Sequence, residues 1–241
     1  MRLPETQIFA ILKDNSHLKQ IVIAIDGPAA SGKTTTARKV ADALGYLHID
    51  TGAMYRALTL RVLEEKLPLG DEAGIQSLAE RTTVRLRRTD GVNAVFVDER
   101  DVTKEIRKPA VTKYVSKVSS YPGVRKVMVR EQRSLAAEGG IVLEGRDIGT
   151  VVLPDADLKI FMVANVGERA RRRKRELEGS GIQIDEGVLA REIEERDLQD
   201  STREVSPLRK AEDAIEVDTS NLTIEEQVQL ILAKARERMN S

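Results

Sequence analysis

A chain of 241 residues has room for one large domain, or one domain carrying insertions, around a sizeable buried core. Lysine plus arginine and aspartate plus glutamate both total 39, so a net charge of zero gives no general attraction to nucleic acid or membrane, and any basic patch must be local. The absence of cysteine excludes disulfides and thiolate metal sites, and 3% aromatic residues with no tryptophan argue against a base-stacking platform for single-stranded nucleic acid.

Residues 1–20 lack the charged, apolar, small-residue order of a secretory signal, and no apolar run approaches the length of a membrane span. A cytoplasmic protein is expected. Within this first segment Ile8, Ile11 and Leu12 could line one face of a short helix, and the segment reads as a peripheral extension with His17 solvated. Ile21 to Ile25 is then a continuous aliphatic run, the form of a strand buried on both faces of a parallel sheet.

The stretch that follows, GPAASGKT from Gly27 to Thr34, matches the phosphate-cradling pattern GxxxxGKT between a strand and a helix. Gly27 and Gly32 let the backbone turn its N–H groups inward around Pro28, Ala29, Ala30 and Ser31, at a helix N-terminus whose dipole already favours anions. Lys33 would reach the β- and γ-phosphates of ATP, and the Thr34 hydroxyl would ligate the Mg²⁺ that bridges them, with Thr35 closing the loop. Ala37, Val40, Ala41 and Leu44 continue at helical spacing to a stop at Gly45.

Tyr46 to Asp50 is a short strand that delivers Asp50 to the same sheet edge, where ligands collect in open α/β sheets; on that position alone Asp50 is the candidate for ordering metal-bound water. His48 within it reads as a packed, satisfied histidine. Thr51 is expected to cap a helix running to about Leu67, with Tyr55 and Arg56 on its first turn. Residues 82–98 alternate apolar and polar side chains around Asp90-Gly91, a hairpin that interrupts the βα pattern and reads as an insertion. Helical periodicity returns at Pro109, and a second helix runs from Pro122 to Gly139-Gly140.

Ile141 to Asp147 is a third aliphatic strand, ending in a turn that should bring Arg146 and Asp147 to the ligand edge. Residues 158–164 and 214–218 give the fourth and fifth strands, and a helix from Thr223 to Met239 closes the chain. Between those strands, six basic residues in the seven from Arg169 to Arg175 suggest a helical arginine lid over about 166–184, with Arg169, Arg172 and Arg173 as candidates to contact the transferring phosphoryl group. The expected fold is α/β and three-layered, of the P-loop NTPase type. A five-stranded parallel sheet, 21–67 and 141–241, is flanked by helices and carries an insertion over about 68–138 with a small antiparallel element. No Asn-Lys-x-Asp guanine signature follows the fourth strand, which disfavours a GTPase-like switch.

With GPAASGKT, DTGAMYR, SKVSSYPGVR, LEGRDIGTVV and ERDLQDSTR in this order, residues 21–239 resemble the bacterial cytidylate kinases, a family of nucleoside monophosphate kinases. The resemblance implies phosphoryl transfer from Mg·ATP to CMP and dCMP by a monomer, without nucleic acid or membrane partners. It implies that Gly27, Gly32, Lys33 and Thr34 hold the donor, that Arg56, Arg146 and Arg203 hold the acceptor phosphate, and that Thr51 and Tyr55 line the same site. It further implies that Ser116, Arg125 and Asp147 read the cytosine edge and that Arg196 and Asp200 hold the ribose. Thr51 stands where many relatives have serine, and Glu144 where others have a smaller acid or a neutral residue; no role for Glu144 follows from the sequence.

Overall fold

The computed structural model describes residues 19–89, 92–179 and 181–240; most of the expected extension, the stretch 1–18, and the Asp90-Gly91 turn lie outside the described residues. The main sheet is built from β1 (Val22–Asp26), β2 (Leu47–Asp50), β6 (Ile141–Gly145), β7 (Leu158–Val163) and β8 (Ile215–Asp218), all parallel, in the order β2-β6-β1-β7-β8. Strand β1 is central because it is apolar on both faces. Ile21, Ile23 and Ile25 pack with α1 (Lys33–Leu44) and α8 (Ile224–Met239), while Ala24 faces Leu143, Leu58 and Met128 on the other side. That second face is covered by α2 (Thr51–Glu64), α4 (Pro109–Ser120) and α5 (Pro122–Ala136), so the chain is three-layered with a five-stranded parallel sheet, as expected.

The chain leaves β1 for β2 on one side and reaches β7 and β8 on the other, so the loop after β1 sits where the strand order reverses. Register then sets what surrounds it. Asp26 lies opposite Gly145 and Phe161, and Asp50 opposite Glu144, so the strand ends and their following loops emerge along one row. The β6 loop is drawn in further by Asp26, whose two carboxylate oxygens accept from the N–H groups of Ile148 and Gly149, each at 2.8 Å. These residues open a single π-type helical turn, Ile148–Val152.

The insertion holds α3 (Glu72–Arg81), then a three-stranded antiparallel sheet of β3 (Val84–Thr89), β4 (Val92–Val97) and β5 (Arg100–Asp101). Helix α3 and the two-residue β5 went unread in the sequence. This sheet seats Val95, Val97 and Val102 on Ala53, Ala57 and Leu60 of α2. Helices α6 (Val166–Glu178) and α7 (Glu186–Thr202) stand apart on a small cluster whose buried members are Ala170, Leu189 and Ile193. So small an apolar contact leaves the part of the pair beyond Arg172, whose guanidinium ties α6 to Ser31 and Thr219, the freer to move. One cap differs from expectation: Asp50, not Thr51, caps α2, its carboxylate accepting from Ala53 N at 2.9 Å. The ionised carboxylate one residue earlier takes the first-turn donor, and the Thr51 hydroxyl instead donates to the Glu144 carbonyl at 2.7 Å.

Gly27 has φ of 150°, and a Cβ there would lie 2.1 Å from the Met162 carbonyl oxygen. Gly27→Ala is therefore expected to cost roughly 3 kcal/mol or more, because either β7 or the loop must shift. Equilibrium denaturation followed by circular dichroism should show an earlier midpoint than the parent chain.

Candidate active site

The loop from Gly27 to Gly32 reverses on three left-handed residues, Gly27, Ala30 (φ 57°) and Gly32 (φ 98°), and then starts α1 at Lys33. Lys33 is buried, with Nζ donating to Pro28 O at 2.7 Å and to Ser31 Oγ at 3.4 Å, so the ammonium sits inside the curl of the loop. Burial, reinforced by the positive charge of Arg146, brings its pKa down to about 7. A group desolvated in this way gains strongly from an arriving polyanion. Thr34 is exposed at the mouth, and its hydroxyl donates to Glu144 Oε2 at 2.9 Å. Glu144 is buried, and its other oxygen meets His48 Nε2 at 3.0 Å.

Next to the loop, arginines and carboxylates from five segments form a largely paired charge cluster. Arg56 of α2 donates to Asp50 at 2.9 Å, and although burial opposes it, that arginine holds the Asp50 carboxyl below its usual range. Arg146, after β6, donates from Nε to Asp200 of α7 at 2.8 Å. Burial again acts against both charged forms, yet the pair wins, with the Asp200 pKa lowered and the Arg146 pKa raised. Arg125 of α5 donates to Asp147, both deeply buried, and Arg203 approaches the other Asp147 oxygen at 3.6 Å, an ion pair too long for a hydrogen bond. Arg196 has no ion pair within 4 Å among the described residues, and burial and the charge of Arg146 outweigh that of Asp200 and lower its pKa to about 10. Tyr55 lies beneath the Arg125 guanidinium, 5.7 Å from ring centroid to Cζ, and burial pushes its hydroxyl up to about 12.

The cluster is under-satisfied. Arg56 Nε, Arg125 Nε, Arg196 Nε and Arg203 Nη2 are buried without a hydrogen-bond partner. Each such donor costs about 1–3 kcal/mol while it lacks an acceptor, and donors of this kind suit anionic oxygens. Ser116, half-buried on α4, makes no hydrogen bond to Arg125 or Asp147 among the described residues. The three lid candidates separate clearly. Arg169 pairs with Asp197 of α7 at 2.6 Å, Arg172 turns toward the phosphate loop backbone, and Arg173 donates to Glu176 of its own helix while its charge reaches Arg196.

A family model described as "Cytidylate kinase" matches residues 23–237. The chain belongs to the cytidylate kinase family. A "Cytidylate kinase" of Geobacillus sp. (strain WCH70) is 52% identical over 219 residues, covering 91% of this chain and 98% of that one. Another, of Carboxydothermus hydrogenoformans, is 51% identical over 210 residues, covering 87% and 95%. Among solved structures, a gluconokinase from Sinorhizobium meliloti 1021 aligns at TM-score 0.45 and 16% identity over 92% of this chain and 94% of that one.

In this cytidylate kinase family member Glu144 had no role that could be read from the sequence and Asp26 was passed over, while His48 is packed and satisfied as expected. The signal for Glu144 was an acid ending an aliphatic strand: once β2 and β6 pair in register, it falls opposite Asp50 and against Thr34. Asp26 carries the more unusual charge. Burial outweighs its two backbone donors and raises its pKa from 3.8 to about 6. Because the folded value lies above the unfolded one, its stabilising contribution is complete below the unfolded pKa and is lost as pH rises through the folded one. Relative to Asp26→Asn, the parent chain should therefore lose roughly 3 kcal/mol of unfolding free energy between about pH 4 and about pH 7. Paired urea titrations across that range test it, and a constant difference would contradict it.

Proposed function

We propose that this chain transfers the γ-phosphoryl group of ATP to CMP, and to dCMP, giving ADP and the cytidine diphosphate, as a cytoplasmic monomer. The observation that carries the reading is the paired cluster beside the phosphate loop. It holds the pair proposed to read the base, Arg125–Asp147, one ion pair away from Arg203, which with Arg146 and Arg56 makes the set proposed to hold phosphate. All of these groups come from a single chain, and among the described residues no helix is long and apolar enough to cross a membrane.

The donor's phosphates would lie on the N–H groups from Gly27 to Thr35, with Lys33 at the β- and γ-phosphates. The donor set fits Mg²⁺: it is all hard oxygen, with the Thr34 hydroxyl for direct contact and Glu144 and Asp50 placed to hold metal-bound water. When bound, the ion would neutralise charge on the β- and γ-oxygens. Magnesium relies on phosphates and water for most of its shell, so a cage of protein carboxylates is not required.

The acceptor is already a phosphate oxygen, so no side-chain nucleophile is needed, and this chain's residues act by holding and neutralising. Arg56, Arg146 and Arg203 would exchange their carboxylate partners for the acceptor phosphate. Arg196 and Asp200 would take the ribose hydroxyls, and Thr51 and Tyr55 would line the cavity. Asp147 would accept from the cytosine amine while Arg125 and Ser116 donate to its ring acceptors. Uracil presents the opposite polarity at two of these positions, a penalty of about 1–3 kcal/mol for each lost pairing. Closure of α6 and α7, with Arg169 and Arg173, would exclude water that otherwise hydrolyses ATP.

A coupled ADP-release assay with Mg·ATP and CMP, dCMP, UMP, AMP or shikimate as acceptor tests the reading. Turnover confined to the cytidine nucleotides is expected, and Asp147→Ala should reduce the CMP over UMP preference in kcat/KM by about tenfold or more. Acceptor-independent ADP release alone, or preference for another acceptor, would overturn it.

A further inference from the structure

Arg172 belongs to the basic run of α6, yet every nitrogen of its guanidinium already has a protein partner. Nε donates to Glu168 at 3.0 Å, Nη1 to Ser31 O and to Thr219 Oγ1 at 3.1 Å each, and Nη2 to Thr219 O at 2.5 Å. Ser31 and Thr219 are fully buried. Thr219 follows β8 and is itself held to Ser31 O and Val163 O through its hydroxyl, at 2.9 and 3.0 Å, and to Val163 O through its N–H. The guanidinium thus ties three segments together: the phosphate loop, the loop after β8 and the first turns of α6.

The tie lies where the phosphate loop is most contorted. Gly32, the residue after Ser31, has φ of 98°, and a Cβ there would sit 3.5 Å from Arg172 Nη1 and 3.2 Å from Gln227 Oε1. Gln227 is fully buried and accepts from Thr36 of α1 at 2.7 Å. Left-handed backbone of this kind persists only where its surroundings over-determine it.

We propose that Arg172 is a positioning residue, a clamp that keeps the Ser31–Gly32 segment aimed at the donor's phosphates, and that it does not contact the transferring phosphoryl group. The proposal rests on ATP occupying the phosphate loop. Without the clamp the loop must be ordered each time a donor binds, so the loss falls on donor affinity and spares the acceptor site. The planar fork is essential because it meets carbonyls on two separate loops at once, which a lysine ammonium cannot do.

The experiment compares Arg172→Ala, Arg172→Lys and Thr219→Val with the parent chain. Steady-state kinetics give kcat and KM for ATP and for CMP, and calorimetry gives ADP and CMP binding separately. The clamp predicts that Arg172→Ala and Arg172→Lys both weaken ADP binding and raise KM for ATP by about tenfold or more. It predicts that CMP affinity stays within about twofold and that kcat falls far less than KM rises. Combining Thr219→Val with Arg172→Ala should give less than the sum of the single effects, since both act on one network. A phosphoryl contact would instead show a kcat loss of about a hundredfold with ADP binding intact, and substantial rescue by Arg172→Lys, because lysine is a competent phosphate ligand. That pattern would overturn the clamp. If the parent chain itself showed no ADP binding, the donor-site reading would fall before any variant was compared.

Discussion

The register of three parallel strands governs the rest of this molecule. Because β1 pairs with β6 so that Asp26 faces Gly145, and β2 pairs with β6 so that Asp50 faces Glu144, the chain's strand ends line up. A slip of one residue would turn every strand side chain to the other face and take Glu144 away from Thr34 and His48. The register holds because the strands are apolar on both sides, which leaves no alternative pairing that buries Ile23 and Ile25 with α1 and α8 and Ala24 and Leu143 with α2 and α5. Asp26 extends the constraint beyond the sheet by gripping the first N–H groups after Asp147, so the loop after β6 and the phosphate loop share one anchor.

Electrostatics divides the site into two regions that work differently. On the donor side a single buried lysine lies among backbone dipoles, its charge disfavoured until phosphate arrives. On the other side the arginines are held by carboxylates from neighbouring elements, in the buried Arg125–Asp147 pair and the partly buried Arg146–Asp200 pair. Removing one partner from such a pair strands the other charge, typically at about 3–5 kcal/mol, so these residues carry stability. The Nε atoms of Arg56, Arg125 and Arg196 are buried without an acceptor among the described residues. Arg172, although part of the most basic run in the chain, belongs to neither region and supports the donor side from behind.

The phosphate loop was legible because glycine, lysine and threonine are the few residue types that its chemistry tolerates, and the strands because long aliphatic runs admit little else. Other features depend on neighbours distant in the chain. Nothing in the string of letters pairs Arg125 with Asp147, or assigns Arg172 to a carbonyl on the far side of β8. Helix α3 was missed because its buried residues are only Ile75, Leu78 and Ala79, too short a stripe to establish a period. Ala30 was read as an ordinary loop position since alanine gives no hint of a left-handed backbone. The cap of α2 was placed one residue late because Thr51 and Asp50 are both good caps, and only the geometry shows Thr51 spent on Glu144.

The central claim is that donor and acceptor phosphates meet in one arginine-lined cleft. Its most direct test is the affinity of a bisubstrate compound, adenosine and cytidine joined through five phosphates, measured by calorimetry beside ATP and CMP. Occupancy of both sites predicts one molecule per chain, binding about a hundredfold or more tighter than either nucleotide, and an equivalent with uridine that is weaker. Affinity no better than that of ATP, or indifference to the second base, would contradict the account.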